Sequence, residues 1–283
     1  MRVIDRIKAY RPWYSPRDGL HALFPGLVYF LICLYVACLA NAYMDRKNGS
    51  NYLPASQRYR LPDPLMDSTY SGFQKSGLPT NLADTLVTVC AGLILLRILL
   101  GGRRTCIIAR RAFFVVGSMY LFRAPFIVMT VLPNPLFSCQ PSPRDSVWYD
   151  ALVLLSQSRV SCGDVFYSGH TILFMVSALV WVEYPLGLHR LLHYLLCILI
   201  VLLSIFGAIS LVISAYHYTM DVSVAVVFVF VTWKFYHLVV KTIYFDNTWY
   251  GKFLLWFDGE RRFASRSPTR LPEMRMTTAE SLA

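Results

Sequence analysis

Apolar residues in this chain fall in long, nearly unbroken runs, and polar residues are gathered between them. Six runs stand at about 24–43, 82–101, 112–132, 169–184, 190–214 and 221–245. Most are near the roughly 20 residues that a helix needs to cross a bilayer. The fourth is the shortest, because Glu183, Tyr184 and Pro185 end it early, and it is expected to draw in part of 165–168. The pattern predicts an all-α integral membrane protein with six transmembrane helices. Its parts are then an N-terminal segment at 1–23, a six-span membrane domain at 24–245, and a basic C-terminal tail at 246–283. That tail, with Arg261, Arg262, Arg266 and Arg270 among Ser, Thr and Pro, is expected to be poorly ordered. The first run reads as an anchor rather than a removable signal, since a long polar and basic stretch precedes it.

Composition agrees with this reading, at 56% hydrophobic and 15% charged residues, far more apolar than a soluble domain. The net charge of +11 changes the picture only once it is placed. With an even number of spans both termini share a side, and that side carries 17 Lys and Arg against seven in the opposite loops. The positive-inside rule then puts both termini in the cytosol. The basic excess reports topology, and nucleic-acid binding is not expected. Of seven cysteines, only Cys139 and Cys162 share an oxidising loop on the far side, which makes them a candidate disulfide. No paired Cys/His spacing suggests a metal, and no glycine pattern suggests a nucleotide cofactor. His189 and His193 stand four apart, but without a third ligand they read as interfacial.

Charges inside the runs are few. Arg97 and Lys234 lie near the cytosolic ends of their spans and can snorkel. Arg123 sits about 18 Å along its helix, too deep for that, and needs an anionic partner, either a carboxylate or a lipid phosphate. Two polar blocks remain at the exoplasmic ends of apolar runs: Ser161-Cys162-Gly163-Asp164-Val165-Phe166-Tyr167-Ser168-Gly169-His170-Thr171 and His217-Tyr218-Thr219-Met220-Asp221-Val222. Alone, His170 would read as an interfacial histidine. A second histidine on the same side, with a carboxylate one helical turn on, supplies instead a nucleophile, a group to orient it and a proton carrier. That set suits phosphoryl transfer without a metal.

These blocks resemble the two signature motifs of the sphingomyelin synthase family, sphingolipid synthases related to lipid phosphate phosphatases. Arg110-Arg111, Tyr120-x-x-Arg123 and Thr130-Val131-Leu132-Pro133 resemble a third family motif, and Leu61-Pro62-Asp63 a fourth. The resemblance implies a six-span enzyme with a lipid-phosphate-phosphatase-like helical core and no cofactor. It would move a phospho-alcohol head group, phosphocholine first, from a glycerophospholipid to the primary hydroxyl of ceramide, releasing diacylglycerol. His170, His217 and Asp221 take the positions of the family's catalytic triad. Arg123, Asp164, Ser168, Tyr216 and Tyr120 become candidates for holding phosphate or head group. Membrane lipids are the expected partners, a homo-oligomer is open, and the expected location is the Golgi or plasma membrane with a lumenal or exoplasmic site. The chain resembles the short family members that lack a sterile-alpha-motif domain. It departs from the animal choline and ethanolamine enzymes at Tyr216, where they carry an acidic residue, which leaves inositol or ethanolamine donors as alternatives. A lipid phosphate phosphatase is a further alternative, weakened because no K-x6-R-P motif stands in the loop before the first histidine block. A non-catalytic lipid-binding or transport protein would not require two histidine blocks on one side.

Overall fold

A computed structural model describes residues 16–79, 81–144, 146–163, 165–187, 189–241 and 248–258. Most of the expected N-terminal segment, Asp164 and the arginines of the tail lie outside the described residues. Among those described, the long elements are all helical: α1 (Pro16–Lys47), α2 (Pro64–Lys75), α3 (Leu82–Leu99), α4 (Thr105–Met129), α5 (Val147–Leu155), α6 (Gly169–Glu183), α7 (Arg190–Ile213), α8 (Thr219–Lys241) and α9 (Trp249–Asp258).

Five helices, α1, α3, α4, α7 and α8, are long and apolar enough to cross a bilayer, and α6 is a shorter apolar helix. The six expected runs fall on these six helices. α6 is short because it is the middle of the bundle. It packs against α3, α4, α7 and α8, and Ile172, Phe174, Val176 and Val180 are fully buried. Protein covers its ends, so its length need not match the thickness of the lipid. α7 is the opposite case. Leu191, Leu195, Ile198, Leu202, Ile205 and Ile209 form an exposed apolar stripe at helical spacing, the surface that acyl chains would cover. Its inner face is closed by Gly207, where a Cβ would come within 2.5 Å of the Phe174 ring.

Two expectations need correction. The tail is not irregular from its start, because Trp249–Asp258 forms α9. Tyr250, Leu254 and Phe257, at i, i+4 and i+7, turn inward onto the core, while Trp249 and Trp256 stay exposed, as in a helix lying at a membrane interface. Arg97 does not snorkel. It is 3% exposed, and its Nε donates to the Tyr184 carbonyl at 2.8 Å, closing the C-terminus of α6 where backbone acceptors are otherwise unmatched. Lys234 is the exposed member of a 3.7 Å pair with Glu183. Cys139 and Cys162 are joined, and the other five cysteines are free thiols.

Candidate active site

The loop before α6 is fastened to α1 before any reactive group is reached. Asp45 Oδ1 accepts from Ser161 Oγ at 2.9 Å, from Cys162 N at 2.8 Å and from Gly163 N at 2.7 Å. Gly163 is required by the closeness of this contact, since a Cβ there would meet Met44 Cβ at 2.9 Å and Asp45 N at 3.0 Å. The disulfide ties the same loop to the segment after α4. Much of the first signature block therefore serves as anchorage for the start of α6. Ser168, a head-group candidate by motif, is fully buried and caps α6, its Oγ accepting from Thr171 N at 3.2 Å. This satisfies one of the free N–H groups of the first turn, and His170 stands in that turn.

The second block is held in a similar way. The chain leaves α7 through Ala215, at a φ of 56°, a left-handed conformation costing a non-glycine residue roughly 1–2 kcal/mol. The turn aims His217 back under α6. Asp63 then pins the start of α8, accepting from Thr219 N at 2.6 Å and from Thr219 Oγ1 at 2.8 Å, while also capping α2 through Met66 N at 3.2 Å. Burial alone would raise its carboxyl, but these bonds outweigh it and hold the group below the usual carboxylate range. Tyr218 OH accepts from Leu61 N at 3.1 Å and donates to the Pro133 carbonyl at 3.0 Å. The Leu-Pro-Asp fragment thus has a physical task, which is to clamp the loop bearing the second histidine.

The two clamped segments bring His170 and His217 together, with ring centroids 5.9 Å apart at 62°. His217 Nδ1 lies 3.1 Å from the Val165 carbonyl. A carbonyl only accepts, so Nδ1 carries the proton and Nε2 holds the lone pair. Asp221 Oδ2 is 3.9 Å from the same Nδ1 and accepts from Tyr218 N at 3.1 Å. The sequence reading has Asp221 set the tautomer. In the structure the Val165 carbonyl makes that bond, and the Asp221 carboxyl stands farther off. Burial, then the positive charge that His170 and Arg123 can present, pushes His217 down to about 3, so its ring is neutral near pH 7.

Arg123 and Tyr120 lie beneath the start of α6. Arg123 is 2% exposed and donates from Nε to the Tyr167 carbonyl. Its Nη1 comes within 3.3 Å of the position a Gly169 Cβ would take, and it interacts electrostatically with Asp221. Tyr120 OH reaches the Gly169 carbonyl at 3.5 Å. Arg110 and Arg111, part of the third motif, are buried in the first two turns of α4, well short of Arg123; Arg110 packs beside Gly26 of α1. One group absent from the sequence reading enters the site. Asp84, in the first turn of α3, places Oδ1 3.0 Å from His170 Nε2 and accepts from Tyr216 OH on Oδ2 at 3.0 Å. In the sequence it is an ordinary first-turn acid, and only the folded bundle puts it beside both motifs.

Residues 161–238, which hold His170, His217 and Asp221, match the PAP2 superfamily C-terminal family. The chain is similar to phosphatidylcholine:ceramide cholinephosphotransferase 2 of Mus musculus, 30% identical over 58% of this chain and 47% of the mouse protein. It is 32% identical to phosphatidylcholine:ceramide cholinephosphotransferase 1 of Caenorhabditis elegans over 59% of this chain and 38% of that protein. With phosphatidylcholine:ceramide cholinephosphotransferase 1 of Homo sapiens it shares 30% identity over 57% of this chain and 41% of the relative. The matched part therefore spans about half or less of the length of these curated relatives.

Proposed function

We propose that this chain is a ceramide phosphotransferase, moving phosphocholine from a glycerophospholipid to the primary hydroxyl of ceramide and releasing diacylglycerol. The observation that carries this reading is the paired imidazoles. Each ring has one nitrogen tied to a fixed acceptor, which leaves the other for chemistry. Relatives named as cholinephosphotransferases favour phosphocholine as the group moved, and the charge asymmetry of the loops favours the lumenal or exoplasmic side for the site.

In the first step the Nε2 lone pair of His217 forms a bond to phosphorus as the bond from phosphorus to the diacylglycerol oxygen breaks, and protonated His170 gives that oxygen its proton. His217 now carries phosphocholine on Nε2 and still has a proton on Nδ1, so its ring is cationic. Asp221 at 3.9 Å and the Val165 carbonyl face that new charge, which gives the carboxylate its work without a direct hydrogen bond. Arg123 supplies positive charge beneath the site, where the nonbridging oxygens gain negative charge. In the second step neutral His170 takes the ceramide proton, the ceramide oxygen bonds to phosphorus, and the nitrogen–phosphorus electron pair returns to Nε2. Two steps let two bulky lipids use one site in turn.

The test is purified protein in vesicles with fluorescent ceramide and, separately, phosphatidylcholine, phosphatidylethanolamine or phosphatidylinositol. Labelled sphingomyelin is expected from the first, and donor without ceramide should release up to one equivalent of diacylglycerol in a burst. Product from phosphatidylinositol or phosphatidylethanolamine alone would overturn the choline assignment. Free phosphocholine with no labelled product would make the protein a hydrolase.

A further inference from the structure

We propose that Asp84 is the positioning residue of His170, and that Tyr216, bonded to the same carboxylate, sets how strongly Asp84 acts on the imidazole. The inference rests on the proposed function, in which His170 carries the proton. Asp84 comes from α3, His170 from the start of α6 and Tyr216 from the turn before α8, so three separate segments meet at one carboxylate. Each oxygen has one partner at 3.0 Å. The carboxylate is 49% exposed and the imidazole 29%, so both are reachable from the site rather than sealed in the core. Asp84 lies in the first turn of its helix, where the backbone dipole favours a negative group.

For His170 this arrangement has two effects. Its Nε2 must donate to Asp84, so the proton that moves in the reaction is on Nδ1, and the ring cannot flip without breaking that bond. The carboxylate also stabilises the imidazolium, the form that must protonate the departing oxygen. The Tyr216 hydroxyl withdraws part of that charge by bonding the second oxygen. Of the other titratable groups at this end, the His217 ring faces His170 at 5.9 Å between centroids, Arg123 and Tyr120 of α4 lie against Gly169, the residue before it, and Asp221 of α8 lies beyond His217; among the described residues the ion pair to His170 comes from Asp84. Tyr216 is thus joined to a carboxylate supplied by a different helix.

The test is the pH–rate profile of three variants in the ceramide transfer assay. Asp84→Asn keeps an acceptor for Nε2–H but removes the charge. Its turnover should fall about 10- to 100-fold, as for loss of an orienting partner, and the alkaline limb of kcat/KM for the phosphatidylcholine donor, where the acid form of His170 is lost, should move to lower pH by up to about one unit. Asp84→Ala loses the acceptor as well and should fall further, with Asp84→Glu recovering part of the loss. Tyr216→Phe frees the second oxygen, so the same alkaline limb should move the other way, to higher pH, by about half a unit, the worth of one hydrogen bond. Opposite shifts are the signature, since a merely structural role would move neither limb. Profiles that coincide with wild type in both Asp84→Asn and Tyr216→Phe would overturn the proposal, and shifts in the same direction would overturn the part given to Tyr216. Should Asp84→Asn fail to fold, Tyr216→Phe alone decides. Full activity in His170→Ala would instead defeat the two-histidine reading itself, a distinguishable result.

Discussion

One buried histidine stands just before helix α8 and another near its far end, and the two differ in one respect. His217 and His237 are each 3% exposed, so burial does not tell them apart. At His237, Nδ1 donates to the Trp233 carbonyl at 2.8 Å, Nε2 is 2.7 Å from Tyr184 OH, and the ring lies 4.5 Å from that of Trp233. Both nitrogens are committed and an aromatic wall surrounds them. At His217 only Nδ1 is committed, and a second imidazole faces the other side. The arginines repeat the contrast: Arg97 closes a helix end at the carbonyl of Tyr184, the residue whose hydroxyl meets His237, whereas Arg123 lies under the start of α6 and interacts electrostatically with His217 and Asp221. What distinguishes the end proposed to be reactive is a nitrogen lone pair left over after the structural bonds are made.

Exchanging truncations between the two ends is the strongest way to break this comparison. His217→Ala, His170→Ala and Asp221→Asn should each lower turnover per folded molecule by about 10³-fold or more, because each removes a group that the proposed reaction uses. His237→Ala should leave turnover per folded molecule unchanged while destabilising the fold by about 2–4 kcal/mol, through a cavity and a stranded Tyr184 hydroxyl. Turnover and melting measured on the same purified samples decide the matter. A His237→Ala protein that folds normally but is inactive would end the distinction.

Much of this contrast was legible in the sequence, for reasons that particular residues make plain. The spans come from hydropathy alone, since a run such as 190–214 has no soluble reading. His170, His217 and Asp221 were legible because they sit in short blocks where polar residues interrupt apolar ones. α2, α5 and α9 were not, because helices of nine to 12 residues give a short periodic signal, and the Trp and Phe of α9 sit next to arginines that dominate the composition of the tail. Asp84 was invisible because its importance is tertiary: an acid in a helix's first turn is commonplace, and its partners lie 86 and 132 residues away. The same holds for the Val165 carbonyl, since a backbone atom has no sequence signature. Arg97 was misplaced because snorkelling assumes a route to water, and the α6–α7 connection covers it.

The anchorage of the reactive end offers a sharper and smaller test. Asp45 touches neither histidine, yet it holds Ser161, Cys162 and Gly163, and Val165, two residues beyond Gly163, supplies the carbonyl that fixes His217. Asp45→Ala strands three donors, so it should lower stability by about 1–3 kcal/mol and also lower turnover, because the tautomer of His217 is no longer enforced. Removing an anchor at the opposite end, as in Arg97→Met, should lower stability alone. Turnover of Asp45→Ala equal to wild type when corrected for folded fraction would show that Val165 keeps its place without the tether.

The smallest effect concerns protons and tests directly whether the folded His217 is neutral. Its folded-state value is pushed down to about 3 by burial first and by the charges of His170 and Arg123 second, from an ordinary value of 6.5. A lowered histidine means that the unfolded chain binds a proton which the folded chain refuses. The contribution to stability is therefore complete above pH 6.5 and is lost progressively as pH falls from there toward 3. At pH 5.5 the loss should be about 1 kcal/mol relative to pH 8, and it should be missing from His217→Ala, in which nothing remains to be protonated. Comparing the two proteins cancels the carboxylates, which titrate in both. Melting curves in detergent between pH 8 and pH 5.5 should draw together as the acid end is approached, the wild type losing ground. Parallel curves would mean that His217 accepts a proton as readily folded as unfolded, and a neutral, buried nucleophile could not then be the group that attacks phosphorus.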